Sequence, residues 1–312
     1  MTIIATTNMP TIAIIAPGAY APNPEFALRA IQRLQQRGWT VKNLVDLNSK
    51  YLRFSADDAS RLAQLYQSAD DPEVEVVMAL RGGYGFSRIL DQVDFTRLAA
   101  SGKLFVGFSD FTPMHCGLLA KAGRISFAGP MLYDDFGSDQ QQDFTFEQFE
   151  RCLFHDNYSF SVDVQGNPDL TLEGPFWGGN LAMLTHLVGT PYLPEVKEGI
   201  VFIEDVNENP YRVERMIMQL HHAGILASQQ ALVMGHFTNY RSTEYDNGYD
   251  YASMLEFIRS KIGIPVITGL PFGHCPNKVT LPFGAQVKLT SNGAQIRFAF
   301  AGYPHLSVSK PD

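Results

Sequence analysis

Four polar groups, set among glycines at the ends of apolar runs, carry the chemistry this chain could do. Ser109 closes the run Leu104-Phe105-Val106-Gly107-Phe108-Ser109-Asp110. A serine at a sharp strand-to-helix turn can present its hydroxyl to a cleft, where the following N–H, that of Asp110, can help bind an oxyanion. Glu204 follows Val201-Phe202-Ile203, and His274 ends Gly269-Leu270-Pro271-Phe272-Gly273-His274. A carboxylate and an imidazole are what a serine needs: a base for its proton, and an anion that orients the base and stabilises the imidazolium. The order Ser, Glu, His along the chain is that of α/β-hydrolases. Arg81-Gly82-Gly83-Tyr84-Gly85 is the fourth feature. Its glycines let backbone N–H groups approach a phosphate or an oxyanion closely. Each feature also has an ordinary reading. Ser109 could be a turn residue before a helix capped by Thr112, the glycines a tight turn, and His274 a surface loop residue.

Other patterns are absent. The glycine loop fits neither the dinucleotide fingerprint nor the Walker pattern. There is no H-E-x-x-H, no paired C-x-x-C and no calcium loop, so neither a metal site nor a cofactor is expected. His221 and His222 are adjacent on a helix and face different ways. Cys116 reads as core, and Cys275, directly after His274, leaves a thiol mechanism as a minor alternative.

The elements that must position these groups alternate. Thr11–Ala16, Val41–Val45, Val74–Leu80 and Leu104–Phe108 read as strands at intervals of a βαβ unit, with helices around Phe26–Leu34 and Ala59–Tyr66. Ligands of such sheets sit beyond the carboxyl ends of the strands. The stretch from Asp134 to Asn167 is rich in Asp, Gln and Phe without long periodicity, and reads as a connection. Beyond it, Gly178-Gly179 leads into a helix at Leu181–Leu187, and Gly199–Asp205 reads as a strand. Asn209 and Pro210 open a helix, and Ala231–Gly235 and Val266–Thr268 are further strands. The expected organisation is an α/β domain over 1–134 carrying the nucleophile, a connection over 135–167, and a second domain over 168–312 carrying Glu204 and His274.

Composition bounds the rest. The 312 residues are 45% hydrophobic and 18% charged, with net charge −8, which excludes disorder and argues against nucleic-acid or anionic-membrane partners. Three scattered cysteines fit a reducing compartment. The first 24 residues carry no charge, yet they lack a basic region and a long apolar core, so no export signal is expected. A cytoplasmic location follows as the expectation.

Five co-linear motifs resemble the LD-carboxypeptidase family of serine peptidases across essentially the whole chain. They are Arg81–Gly85, Gly107–Thr112, Trp177-Gly178-Gly179-Asn180-Leu181, Glu204–Glu208 with Pro210–Arg215, and Gly269–His274. The resemblance implies an N-terminal α/β sandwich with a parallel sheet and a C-terminal α/β domain with a small β-barrel-like sheet, commonly in a homodimer. It implies Ser109 as nucleophile, His274 as base, Glu204 as orienting carboxylate, and backbone amides of Asp110 and Gly83 as oxyanion hole. Trp177 and Asn180 would border the substrate cleft. Arg81 is a candidate for the substrate's terminal carboxylate, or else part of a structural ion pair. The implied reaction hydrolyses the bond between an L-centre diamino acid and terminal D-Ala in murein tetrapeptides, as in peptidoglycan recycling. Self-immunity peptidases that degrade microcin C are the near alternative, and a two-domain peptide-binding module without chemistry is the alternative from another class.

Overall fold

The computed structural model describes residues 9–139 and 143–307. Its first half is the expected alternation: β1 (Thr11–Ile15), α1 (Pro24–Gln36), β2 (Thr40–Asn43), α2 (Asp58–Asp70), β3 (Val74–Ala79), α3 (Phe95–Ala100), β4 (Leu104–Gly107), α4 (Thr112–Ala122) and β5 (Ser126–Ala128). Asn23 and Asp57 cap α1 and α2 by accepting backbone N–H groups. β1, β3 and β4 are buried on both faces, as parallel strands covered by helices must be.

The second half runs α5 (Asp143–Phe154), β6 (Asn157–Asp163), β7 (Leu170–Asn180), α6 (Leu181–His186), β8 (Gly199–Val206), α7 (Pro210–His222), β9 (Gln229–Thr238), α8 (Tyr251–Lys261), β10 (Val266–Thr268), β11 (Leu281–Phe283), β12 (Gln286–Ser291) and β13 (Gln295–Ala301). The stretch expected to be irregular therefore holds a helix and a strand. Phe146, Phe149 and Leu153 share the buried face of α5, and Tyr158, Phe160 and Val162 alternate along β6. Polar neighbours obscure both periods in the sequence.

Two sheets result. The first has the order β11-β5-β4-β3-β1-β2 and the second β10-β9-β8-β7-β12-β13-β6. The first is parallel except for β11, which comes from the far end of the chain and pairs antiparallel with β5. β7 serves two roles. Its first half pairs antiparallel with β12, and its second half pairs parallel with β8. The antiparallel set β7-β12-β13-β6 lies where a barrel-like sheet is expected, and the order of the described strands is open, ending at β10 and β6.

The two sheets share one hydrophobic core. Phe283 of β11 stacks on His115 of α4 and meets the edge of Phe202 of β8. Phe108 packs on Phe272 edge to face. These contacts hold the ends of β4 and β8 together, with Ser109 after one and Glu204 near the end of the other. Among the described residues no helix is long and apolar enough to cross a membrane.

Candidate active site

Ser109 sits directly past β4 with φ 61°, a left-handed conformation that costs a non-glycine residue energy and persists only where its surroundings hold it. Two devices hold it. Phe111 donates its N–H to the Phe108 carbonyl, closing a short helical turn over 109–111. Behind it, the buried His115 links its ring nitrogens to the Ser126 hydroxyl and the Gly107 carbonyl, both at 2.8 Å. Burial pushes the His115 pKa down to about 4, so the ring is a neutral strut between β4 and β5. The sequence marks His115 as a helix residue and gives no sign of this link.

His274 reaches both partners. Its Nδ1 lies 2.7 Å from Glu204 Oε2, and its Nε2 lies 3.1 Å from Ser109 Oγ. A carboxylate only accepts, so Nδ1 carries the proton and Nε2 is free to accept from the serine hydroxyl. Gly273, at φ 128°, makes this approach possible, because a Cβ there would stand 3.0 Å from Glu204 Cβ and 3.1 Å from Oε2. Burial works to lower the His274 pKa, but the charge and hydrogen bond of Glu204 outweigh it, with Asp205 adding, and the net shift is upward.

Glu204 is fully buried and is itself held. Asn180 Nδ2 donates to Glu204 Oε1 at 3.2 Å and to Asp205 Oδ1 at 2.9 Å. Its Oδ1 accepts from Met183 N and caps α6, and its own N–H donates to Thr112 Oγ1 at 3.1 Å. Asn180 thus clasps the carboxylate strand to the helix that follows Ser109. Gly179, at φ 124°, leaves room for Thr112, whose Oγ1 would stand 2.7 Å from a Cβ there. Burial, reinforced by the Glu204 charge, pushes Asp205 up to about 6.

These placements revise three expectations. Asn180 is buried and grips Glu204 rather than bordering the cleft. Trp177 is 1% exposed and donates its indole N–H to Gln229 Oε1 at 2.8 Å. It lines a separate cavity with Val188 and Ile225, away from Ser109. The reason is that this end of β7 pairs parallel with β8 and is covered on both faces, so residues 176–180 are all buried. Thr112, expected to cap a helix, starts α4 and receives Asn180 instead.

The glycine loop does approach the serine. A Cβ on Gly82 would stand 2.7 Å from Ser109 Oγ, and Gly83 has φ 80°. Among the described residues, neither the Asp110 nor the Gly83 N–H donates to a carbonyl. Asp110 is buried, and its Oδ2 accepts from Phe86 N at 2.8 Å. This bond ties the Ser109 turn to the glycine loop. Burial pushes the Asp110 carboxyl up to about 7, against those backbone donors and Arg61.

The cleft encloses about 580 Å³ beside Ser109 and His274, with Arg81, Gly83, Asp134 and Lys278 in its walls. Arg81 donates to the Tyr20 carbonyl at 3.1 Å and lies over the Tyr133 ring. Among the described residues it meets no carboxylate in an ion pair. Asp134 is exposed to the cleft, yet the protein around its carboxyl and the Asp135 charge raise its pKa. Lys278 is buried and paired with Asp135. Cys275 donates to the Asn277 carbonyl, and burial holds its thiol up at about 11, which disfavours a thiolate nucleophile. Among the described residues no cluster of His, Cys, Asp or Glu is placed to hold a metal ion.

Comparison with known proteins shows the family. Residues 12–129 match the LD-carboxypeptidase N-terminal domain and residues 173–289 the LD-carboxypeptidase C-terminal domain. The chain belongs to the LD-carboxypeptidase family. It is accordingly a hydrolase of the peptidase class. A crystal structure of muramoyltetrapeptide carboxypeptidase from Oxalobacter formigenes is 48% identical, with TM-score 0.90, covering 94% of this chain and 99% of that one. The Bacillus subtilis protein called "Probable murein peptide carboxypeptidase" is 30% identical over 90% of this chain and 89% of its own length. The microcin C7 self-immunity protein MccF of Escherichia coli is 25% identical over 90% of each chain.

Proposed function

We propose that this LD-carboxypeptidase family member removes terminal D-Ala from murein tetrapeptides, cleaving after an L-centre diamino acid through an acyl-enzyme on Ser109. The observation that carries the reading is the chain of contacts Ser109–His274–Glu204, opening on a cleft whose wall holds Arg81, a guanidinium with no carboxylate partner among the described residues. The names of the relatives point to the same substrate class.

Each step uses a group already in place. His274 Nε2 takes the hydroxyl proton as Ser109 Oγ attacks the scissile carbonyl, and Glu204 stabilises the imidazolium that forms. The Asp110 and Gly83 N–H groups receive the developing oxyanion, where one such donor is typically worth roughly 10²–10³ in rate. The imidazolium returns its proton to the leaving amine of D-Ala. Water, deprotonated by the same Nε2, then releases the acyl group. Arg81 receives the free carboxylate of the terminal residue, which makes the enzyme a carboxypeptidase. Asp134 suits the side-chain amine of the diamino acid.

Incubation with tetrapeptide followed by mass spectrometry tests the reaction. Loss of one alanine is expected, and binding without mass loss would favour a receptor without chemistry. Ser109→Ala should lower turnover by roughly 10⁴-fold or more, and a folded variant that keeps several per cent of activity would sink the assignment. Arg81→Ala should raise KM for the free acid and leave a substrate ending in D-alaninamide less affected. The recycling role carries a cytoplasmic location, which cell fractionation tests, and a homodimer, which sedimentation tests. Cleavage of microcin-type peptides, suggested by the likeness to MccF, is tested by offering such a peptide in competition.

A further inference from the structure

The cleft does not end at the triad. A second cavity of about 550 Å³ is lined by Asn207, Asn209, Asn239, Tyr240 and Arg241. Asn207 and Asn239 also line the cleft of Ser109 and His274, so the second cavity adjoins that cleft as a groove. Its floor stands at the carboxyl ends of the parallel strands β8 and β9, where open α/β sheets place ligands.

The groove is polar by construction. Asn207 and Asn239 have φ 63° and 59°, a conformation that asparagine accepts more readily than other non-glycine residues. Asn207 N donates to the Thr238 carbonyl at 2.8 Å, locking the two loops together. Asn209 does not cap α7 with its side chain; its Oδ1 accepts from Arg241 N at 3.4 Å. The backbone of Arg241 is thereby tied to the wall while its guanidinium stays in solvent. Among the described residues that guanidinium has no carboxylate partner, whereas neighbouring Arg212 is paired with Glu208. The carboxamides of Asn207 and Asn239 are likewise without protein partners among the described residues.

We infer that this groove is the upstream subsite of the cleft, and that Arg241 takes a carboxylate carried by the residue preceding the diamino acid. Asn207 and Asn239 hold the intervening amide groups. The inference rests on the murein reading. In murein stems that preceding residue is a D-glutamate joined through its γ-carboxyl, which leaves an α-carboxylate free beside the chain. A peptide with ordinary α-linkages presents amides there and no such charge. Arg81 in the cleft and Arg241 in the adjoining groove, each without a carboxylate partner among the described residues, then suit a substrate with one carboxylate past the scissile bond and another upstream of it.

Two synthetic tetrapeptides test this, identical except that the glutamate α-carboxyl is free in one and a carboxamide in the other. The wild-type protein should favour the free acid by about tenfold in kcat/KM, through KM, the effect expected of one charge-assisted contact near solvent. In Arg241→Ala this ratio should fall to near one, and Arg241→Lys should restore part of it. A ratio unchanged in Arg241→Ala, or no preference in the wild type, would overturn the subsite while leaving the peptidase reading intact. No D-Ala release from either peptide would overturn the peptidase reading, and the subsite with it.

Discussion

Asn180→Ala separates a positioning role from a substrate-binding one. The side chain donates to two buried carboxylates, at 3.2 Å to Glu204 and 2.9 Å to Asp205, and it caps α6. A hydrogen bond to a charged group is worth about 1.5–3 kcal/mol, and a cap about 1 kcal/mol. Loss of the Glu204 contact alone, felt at the transition state through His274, corresponds to roughly 10- to 150-fold in kcat/KM. Because Asn180 is buried behind Glu204, the loss should fall on kcat with KM little changed. The assay is D-Ala release coupled to a D-amino acid oxidase, read beside a thermal melt. The melt should show a folded variant that is less stable by a few kcal/mol. A rise in KM at constant kcat would place Asn180 against the substrate and refute the reasoning. So would full activity in a variant shown to be destabilised.

Three further outcomes follow from the same geometry. His274 must be neutral to act as a base, and its pKa is held above the ordinary 6.5 by Glu204, so the acid limb of kcat/KM should lie above pH 6.5. Glu204→Gln removes the charge that raises it and should move that limb to lower pH while lowering the rate; an unmoved limb would contradict the assignment. Asp110 is raised from 3.8 to about 7, so the folded state binds a proton more tightly than the unfolded chain does. The Asp110 contribution to stability should therefore fall as pH rises between about 4 and 7, by something on the order of 4 kcal/mol, and level off above, while buried His115, lowered to about 4, contributes in the opposite sense. Asp110→Asn should flatten this dependence in denaturant titrations, and an identical slope in the variant would exclude Asp110 as its source. Trp177→Phe loses the bond to Gln229 and should cost about 1 kcal/mol in chemical denaturation, with kinetic constants intact. A selective rise in KM would return Trp177 to the cleft.

Local pattern sufficed for much of this protein. Apolar runs and glycine stops placed β3, β4, β8 and β10 within a residue or two, because a buried parallel strand is a short apolar segment with a definite end. The same ends carry Ser109, Glu204 and His274, for which residue chemistry and chain order offered a triad and the family resemblance implied the proposed roles. What stayed illegible depends on separation along the chain. β11 completes the first sheet by pairing with β5, although along the chain it falls among the strands of the second, between β10 and β12. α5 hides among glutamines and aspartates, and only the core that receives Phe146 and Phe149 reveals its face. The family resemblance implies a cleft border for the Trp177–Asn180 segment, because a sequence gives the spacing of side chains but not whether a strand is covered on both faces. Parallel pairing with β8 placed it in the interior, with residues 176–180 all buried. Asn180 became the clasp on Glu204 and Trp177 a buried prop, since a hydrogen bond between residues distant in sequence exists only once both strands share a sheet.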